Sequence, residues 1–250
     1  VTALVTGASG GLGRAIAVAL AQDGHDVAVH FRSDQVGAVE TSRLVESTGR
    51  RAYAVARDLA IAEPAALDEA VEGLLDEVIG ALGSLDVVVL NAFPQDLTPW
   101  ADLDAAAWAS MLDGGLRPTA ALLAAAGKRL SCGGVIVAIG SIEGLRPAAG
   151  HTAYAVSKAA VHHLTAAAAH ELGPAELRVV GVAPGLIERD GLAQAWPDGV
   201  TRWERASALG RMVTPEEVAA VVAFLASPAA AAITGVTIPV DAGWSASPGW

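Results

Sequence analysis

Cysteine is almost absent. Cys132 stands alone among 250 residues, so no internal disulfide can form and Cys-rich zinc patterns are excluded. A lone small thiol is expected to be buried, and the lack of disulfides suits a reducing cytoplasm. Lysine is nearly as scarce, two residues against fourteen arginines, a bias associated with GC-rich bacterial coding. Basic residues number 16 against 27 acidic ones, and the resulting net charge of -11 repels phosphate backbones and anionic membranes. Neither nucleic acid nor membrane is therefore an expected partner. No basic region precedes an apolar one at the N-terminus, which enters a strand pattern at once, so no secretory signal is expected. One uncharged stretch, 218–240, has the length of a membrane span, but Pro228, Gly235 and Pro239 divide it into helix, turn and core strand. The six histidines lack metal-site spacing, so no metal is expected, and His162 and His163 read as packed or as subunit-contact residues.

What is abundant is apolar: 53% of the chain is hydrophobic, much of it alanine, which favours helices lying close on a sheet. Strand-like runs at 1–5, 26–31, 52–56, 85–90, 134–139, 178–182 and 237–240 alternate with helical periodicity at 11–23, 35–48, 64–82, 103–130, 153–172 and 215–226. This alternation implies βαβ units. The expected fold is α/β: one Rossmann-like, doubly wound parallel sheet of about seven strands with helices on both faces, forming a single domain over 1–250. Gly114, Gly115 and Pro118 interrupt the helical stretch 103–130. Between Pro184 and Pro215 no clean periodicity appears, and a segment of this length in a compact domain reads as a lid, at about 186–212.

After the first strand the chain runs Thr6-Gly7-Ala8-Ser9-Gly10-Gly11-Leu12-Gly13. Glycines here allow a sharp turn and a close approach of phosphate to free amides at a helix N-terminus. At the end of the second strand a carboxylate would bind the adenosine ribose of NAD, but the residues are His30-Phe31-Arg32-Ser33. Arg32 and Ser33, with Arg14 nearby, suit a 2′-phosphate, so NADP(H) is expected over NAD(H). Asp34 opposes that preference. Further on, Tyr154-x3-Lys158 places two side chains one turn apart on one helix face, and Ser141 precedes Tyr154 by thirteen residues at the end of the fifth strand.

The Gly-x3-Gly-x-Gly spacing, the Ser141, Tyr154 and Lys158 set, Asn91-Ala92, Ala183-Pro184-Gly185 and the closing Val240-Asp241-Ala242-Gly243 together resemble the short-chain dehydrogenase/reductase family over nearly the whole chain. The resemblance implies Tyr154 as proton donor in reduction, Ser141 as a hydrogen-bond partner of the substrate oxygen, and Lys158 as holder of the nicotinamide ribose. A tyrosine with an ordinary pKa near 10 needs roughly 4 kcal/mol to reach about 7, and the Lys158 ammonium is the expected source. The resemblance also implies a nicotinamide-dinucleotide site at Gly7, Ser9, Gly10, Gly11, Leu12, Gly13, Arg32, Ser33, Asp58, Leu59, Asn91, Ala92, Tyr154, Lys158, Pro184, Gly185 and Ile187. Asp58-Leu59 would hold adenine, and the Ile187 backbone the carboxamide. It further implies a homotetramer or homodimer.

Three positions depart from the family pattern. Phe93 replaces the glycine of Asn-Ala-Gly, and is expected either to narrow the nicotinamide side or to line the substrate pocket. Gly115, seven residues after Trp108, replaces an asparagine that holds a water in a proton relay; a broken helix there is expected to expose a carbonyl to water instead. Arg189 replaces a threonine. Phe93, Glu143, His151, Trp196 and Trp203 are the candidate substrate residues, fitting a bulky aromatic group. The expected function is NADPH-dependent reduction of a ketone, with a resemblance to aromatic-polyketide ketoreductases of antibiotic biosynthesis. A 3-oxoacyl-thioester or pteridine-type reductase, or a catalytically impaired NADP(H)-binding sensor or subunit, remain open alternatives.

Overall fold

Seven strands form one parallel sheet in a computed structural model that describes residues 1–247; the last three residues of the expected 1–250 domain lie outside the described residues. They are β1 (Thr2–Val5), β2 (Asp26–Phe31), β3 (Ala52–Ala56), β4 (Val87–Leu90), β5 (Val135–Ile139), β6 (Arg178–Pro184) and β7 (Thr237–Val240), in the spatial order β3-β2-β1-β4-β5-β6-β7. Strand order reverses between β1 and β4, where Ala3 pairs with Val87 and Val5 with Val89. In open α/β sheets the crevice beyond the strand C-termini at such a reversal is where ligands bind.

The unbroken apolar strands follow from burial on both faces. Ala3, Val5, Val87, Val89, Val135 and Val137 point to one side, where they meet α1 (Gly11–Gln22), α2 (Gln35–Glu46) and α9 (Pro215–Ala226). Leu4, Val88, Leu90, Ile136 and Ala138 point to the other, against α3 (Pro64–Leu82), α5 (Arg117–Ala126) and α6 (Thr152–Leu172). Polar side chains start several of these helices. Asp34 caps α2, Glu63 caps α3, and Thr214 with Glu217 forms a capping box on α9.

The interruption expected within 103–130 is met, and three other expectations are corrected. The helical stretch 103–130 is divided into α4 (Ala105–Met111), a π-helical turn over Leu112–Leu116 and α5, because the paired glycines let the ladder widen. Pro118 falls in the first turn of α5, where its missing N–H costs nothing. Segment 186–212 carries regular structure, α7 (Leu192–Ala195) and α8 (Pro197–Ala206). β7 is a half-exposed edge strand rather than a core strand, since only β6 flanks it. Cys132 is exposed: it sits in the turn before β5, and its thiol lies 2.7 Å from Glu176 Oε2. That turn borders a cleft of about 570 Å³ at the foot of the sheet, away from the strand C-termini. No helix among the described residues is long and apolar enough to cross a membrane.

Leu74 of α3 is fully buried against the sheet. Leu74→Ala is expected to cost about 2–5 kcal/mol, read as a lower urea midpoint at unchanged slope.

Candidate active site

The glycine turn is held from three directions. Gly7 (φ 64) and Gly11 (φ 50) occupy the left-handed region that a Cβ disfavours. Gly13 is required for another reason: a Cβ there would strike the carbonyl oxygen of Gly7 and lie 2.8 Å from Asn91 Nδ2. From the end of β4, Asn91 Nδ2 donates to the carbonyls of Thr6 (2.9 Å) and Gly7 (3.2 Å), while Thr6 Oγ1 accepts from the amides of Asn91 (2.9 Å) and Ala92 (3.0 Å). From β2, His30 Nδ1 accepts from the Gly7 amide (3.3 Å) and Nε2 lies 3.0 Å from the Arg57 carbonyl. That pair of partners fits the neutral imidazole, and burial holds its pKa down to about 4. The third support is Arg14, whose guanidinium donates to the carbonyls of Ser9 (2.6 Å) and Gly37 (3.3 Å) and to Thr41 Oγ1 (3.0 Å). The bracing roles of His30 and Thr6 were missed by the sequence reading; a histidine within a buried strand carries no spacing signal.

Arg32 and Ser33 are exposed at the end of β2, and Arg32 forms no ion pair among the described residues. The Asp34 carboxylate is turned to cap α2, accepting from the Gly37 amide at 2.9 Å. Asp58 is exposed and accepts from the Ala60 amide (2.9 Å), with Leu59 buried beside it. Gly185 donates its amide to Val240 (2.9 Å), fixing the end of β6. Ile187 bridges Val213 through the Leu186 carbonyl and the Glu188 amide, so its own N–H and C=O turn to the other side.

At the end of β5, Ser141 Oγ accepts from the Glu143 amide (3.1 Å) and lies near enough to Tyr154 for its hydroxyl to act on the phenol. Lys158, 2% exposed, donates Nζ to the Ile139 carbonyl (2.8 Å) and stands 3.7 Å above the Phe93 ring centroid. The expected lowering of the Tyr154 pKa is not met in the chain itself. Burial pushes this phenol up to about 12, opposed by the nearby Ser141 hydroxyl and reinforced by Glu143, while burial holds Lys158 down to about 7. The ammonium is aimed at Ile139 and Phe93, and loss of water is the largest influence on both groups. His162 lies behind Ser141, accepting from its amide at 3.4 Å, and its ring leaves room only for glycine at 140. It is thus packed, as expected.

Phe93 and Gly115 form one feature. A Cβ on Gly115 would come within 2.6 Å of the Phe93 ring, which also meets Tyr154 edge-on with centroids 5.9 Å apart. The ring therefore fills the room left by the missing side chain at 115. The carbonyl expected to face water is corrected too: Gly115 O is buried and accepts from Thr119 Oγ1 at 2.8 Å. Around the mouth, His151 Nδ1 lies 2.7 Å from Glu143 Oε2. Trp196 is half exposed and packs on Gly199, whereas Trp203 stacks on Trp244 (5.4 Å, 5°), donates Nε1 to the Arg211 carbonyl (3.1 Å) and lies against Gly185. Trp203 thus fastens α8 to the sheet, and Trp244 was missed because the two are far apart in sequence.

A family profile described as Enoyl-(Acyl carrier protein) reductase matches residues 7–245. A short-chain dehydrogenase/reductase of Armillaria gallica is 36% identical, covering 96% of this chain and 94% of its own. The chain belongs to the short-chain dehydrogenase/reductase family. A short chain dehydrogenase from Burkholderia cenocepacia J2315, solved in complex with NADP, has a TM-score of 0.88 at 34% identity, covering 98% and 97% of the two chains. The promiscuous reductase LugOII, which catalyses keto-reduction at C1 during lugdunomycin biosynthesis, has a TM-score of 0.87 at 32% identity, with 97% of each chain covered. As a member of this family the protein is an oxidoreductase acting on CH–OH or carbonyl groups and using a nicotinamide cofactor. The site's shape fits such a dinucleotide: Gly10 gives α1 no side-chain cap, and a Cβ on Gly10 or Gly11 would meet nothing within 4 Å. First-turn amides and open space thus lie together at the strand reversal.

Two outcomes follow for this short-chain dehydrogenase/reductase. The folded-state pKa of Lys158, about 7, lies below its ordinary 10.5, so its stabilising contribution is complete above pH 10.5 and is lost as pH falls towards 7. Lys158→Met is therefore expected to raise Tm, by about 2–4 °C per kcal/mol relieved, most at pH 7 and below and least near pH 10. Gly115→Asn should cost about 1–3 kcal/mol in urea unfolding by striking Phe93, and Phe93→Gly in the same chain should recover most of that loss; additive effects would refute the contact.

Proposed function

We propose that this enzyme is an NADPH-dependent ketoreductase in which Tyr154 protonates the carbonyl oxygen, Ser141 Oγ orients it, and Lys158 holds the nicotinamide ribose. The observation that carries this reading is the Ser141 hydroxyl within reach of the Tyr154 phenol beside the buried Lys158, at the same end of the sheet as the open glycine turn. Bound NADPH supplies the hydride. The phenol pKa of about 12 supports the reductive direction, because a tyrosine that keeps its proton is a donor rather than a base.

The preference for NADPH is supported by exposed Arg32 and Ser33, by Asp34 being engaged in capping α2, and by Arg14 bound to Ser9. The 2′-phosphate would lie against these groups, adenine near Asp58 and Leu59, and the carboxamide against the Ile187 backbone. The substrate is a ketone on a bulky, apolar, aromatic body of the polyketide kind. Leu97, Trp100 (76% exposed), Leu145 and Trp196 support this, since they are exposed apolar side chains in the loops after β4, β5 and β6. Residues 186–212 act as the lid over one catalytic domain. A homotetramer or homodimer in the cytoplasm completes the reading, with exposed Val156 on α6 as a candidate contact.

NADPH oxidation with aromatic ketones and a 3-oxoacyl thioester tests both chemistry and substrate class. Tyr154→Phe is expected to reduce turnover about 10²–10⁴-fold, and a variant as active as the parent would sink the mechanism. Arg32→Ala is expected to raise KM for NADPH about tenfold, a loss of about 1.4 kcal/mol, with NADH little changed. Equal losses with both cofactors would refute the preference.

A further inference from the structure

We propose that the proton given up by Tyr154 is replaced from the Glu143–His151 pair at the mouth of the site, and not through Lys158 and the helix break behind it. The inference rests on the ketoreductase reading above and adds a proton path to it.

The geometry leaves Tyr154 with one closed side and one open side. On the closed side, the Lys158 ammonium is taken up by the Ile139 carbonyl at 2.8 Å and the Phe93 ring at 3.7 Å. Phe93 in turn fills the space over Gly115, whose carbonyl is already bonded to the Thr119 hydroxyl at 2.8 Å. An aromatic face neither donates nor accepts a transferable proton, so this wall passes none. On the open side, the Glu143 amide donates to Ser141 Oγ at 3.1 Å, His151 is the N-cap of α6 one turn before Tyr154, and both the Ser141 hydroxyl and the Glu143 carboxylate lie near enough to act on the phenol. Glu143 Oε2 and His151 Nδ1 are 2.7 Å apart, and both side chains are partly open to solvent, 17% and 22% exposed. The remaining ionisable groups on this side are Tyr154, Lys158 and His162 of α6 and Arg146 of the same loop. His162 lies against Gly140 and Gly144, and Arg146 is directed to the Ser247 carbonyl at 3.1 Å. Burial raises the Glu143 carboxyl pKa, against the pull of His151. A 2.7 Å contact between Oε2 and Nδ1 requires one proton between the two atoms, and that shared proton is the one the pair can give.

In the relay, the phenol O–H breaks and its proton goes to the carbonyl oxygen, leaving the electron pair on the phenolate. The Glu143–His151 pair then gives the proton held between Oε2 and Nδ1 to that phenolate oxygen. The pair then takes a proton back from solvent, to which both side chains are partly open. No electrons change hands in these steps.

Glu143→Gln keeps the shape and removes the proton. Steady-state NADPH oxidation is expected to show kcat about tenfold lower or less, KM within about twofold of the parent, and turnover that rises with added imidazole buffer. His151→Gln should behave alike with a smaller loss. A readout without cofactor accompanies them: in Tyr53→Phe, Tyr154 is the sole tyrosine. Its phenolate absorbance is then expected at lower pH when Glu143→Gln is added, followed over the range in which the helical circular dichroism persists. A raised KM at unchanged kcat would make the pair a substrate contact and overturn the relay. So would a lost kcat that imidazole does not restore, or an unmoved phenol titration. Tyr154→Phe retaining activity would instead overturn the ketoreductase reading.

Discussion

A lysine ammonium buried without a carboxylate partner is the constraint around which the site is arranged. Lys158 has one carbonyl and one aromatic face for company, and an ionised amine in such surroundings loses most of its hydration. The surrounding residues follow from that choice. Ile139 must end β5 with its carbonyl free of the ladder, α6 must lie flat over the strand ends, and Phe93 must lie under the ammonium. For Phe93 to lie there, position 115 must have no side chain. Stability is given up locally so that the lysine and Tyr154 can share one dry pocket, a cost common where function sets the residue.

Phe93 and Gly115 look like unrelated departures when the chain is written as a line. In space each explains the other: the phenyl ring occupies what the glycine vacates. The same substitution pair changes the chemistry of the pocket wall. It puts an aromatic face on the wall beside Lys158, and leaves the polar side chains Ser141, Glu143 and His151 on the other side of the site.

The glycine turn shows a similar economy. Its conformation is held by Asn91 from β4, His30 from β2 and Arg14 from α1 itself. These anchors come from both strands that flank β1 and from α1, and they hold the uncapped start of α1 at the C-terminal end of β1. Arg14 also links the turn to α2, which brings Ser9 beside the exposed Arg32 and Ser33 end of β2.

The sequence by itself determined the fold class. Apolar strands, helical periodicity and glycine stops are local or periodic signals, and α/β alternation follows from them. It also determined the Ser141, Tyr154 and Lys158 set and the glycine turn, since those residues lie at fixed spacings from strand ends. Only the tertiary structure decided how the groups act on one another. Cys132 is exposed because its turn lies at the sheet's foot, and β7 is half exposed because it is an edge strand. Trp203 packs on Trp244, and Tyr154 is driven to a high pKa where the lysine alone suggested a low one. The physical reason is common to all four. Exposure, stacking and the balance between charge and desolvation depend on which distant residues share a volume, and spacing along a chain does not encode that.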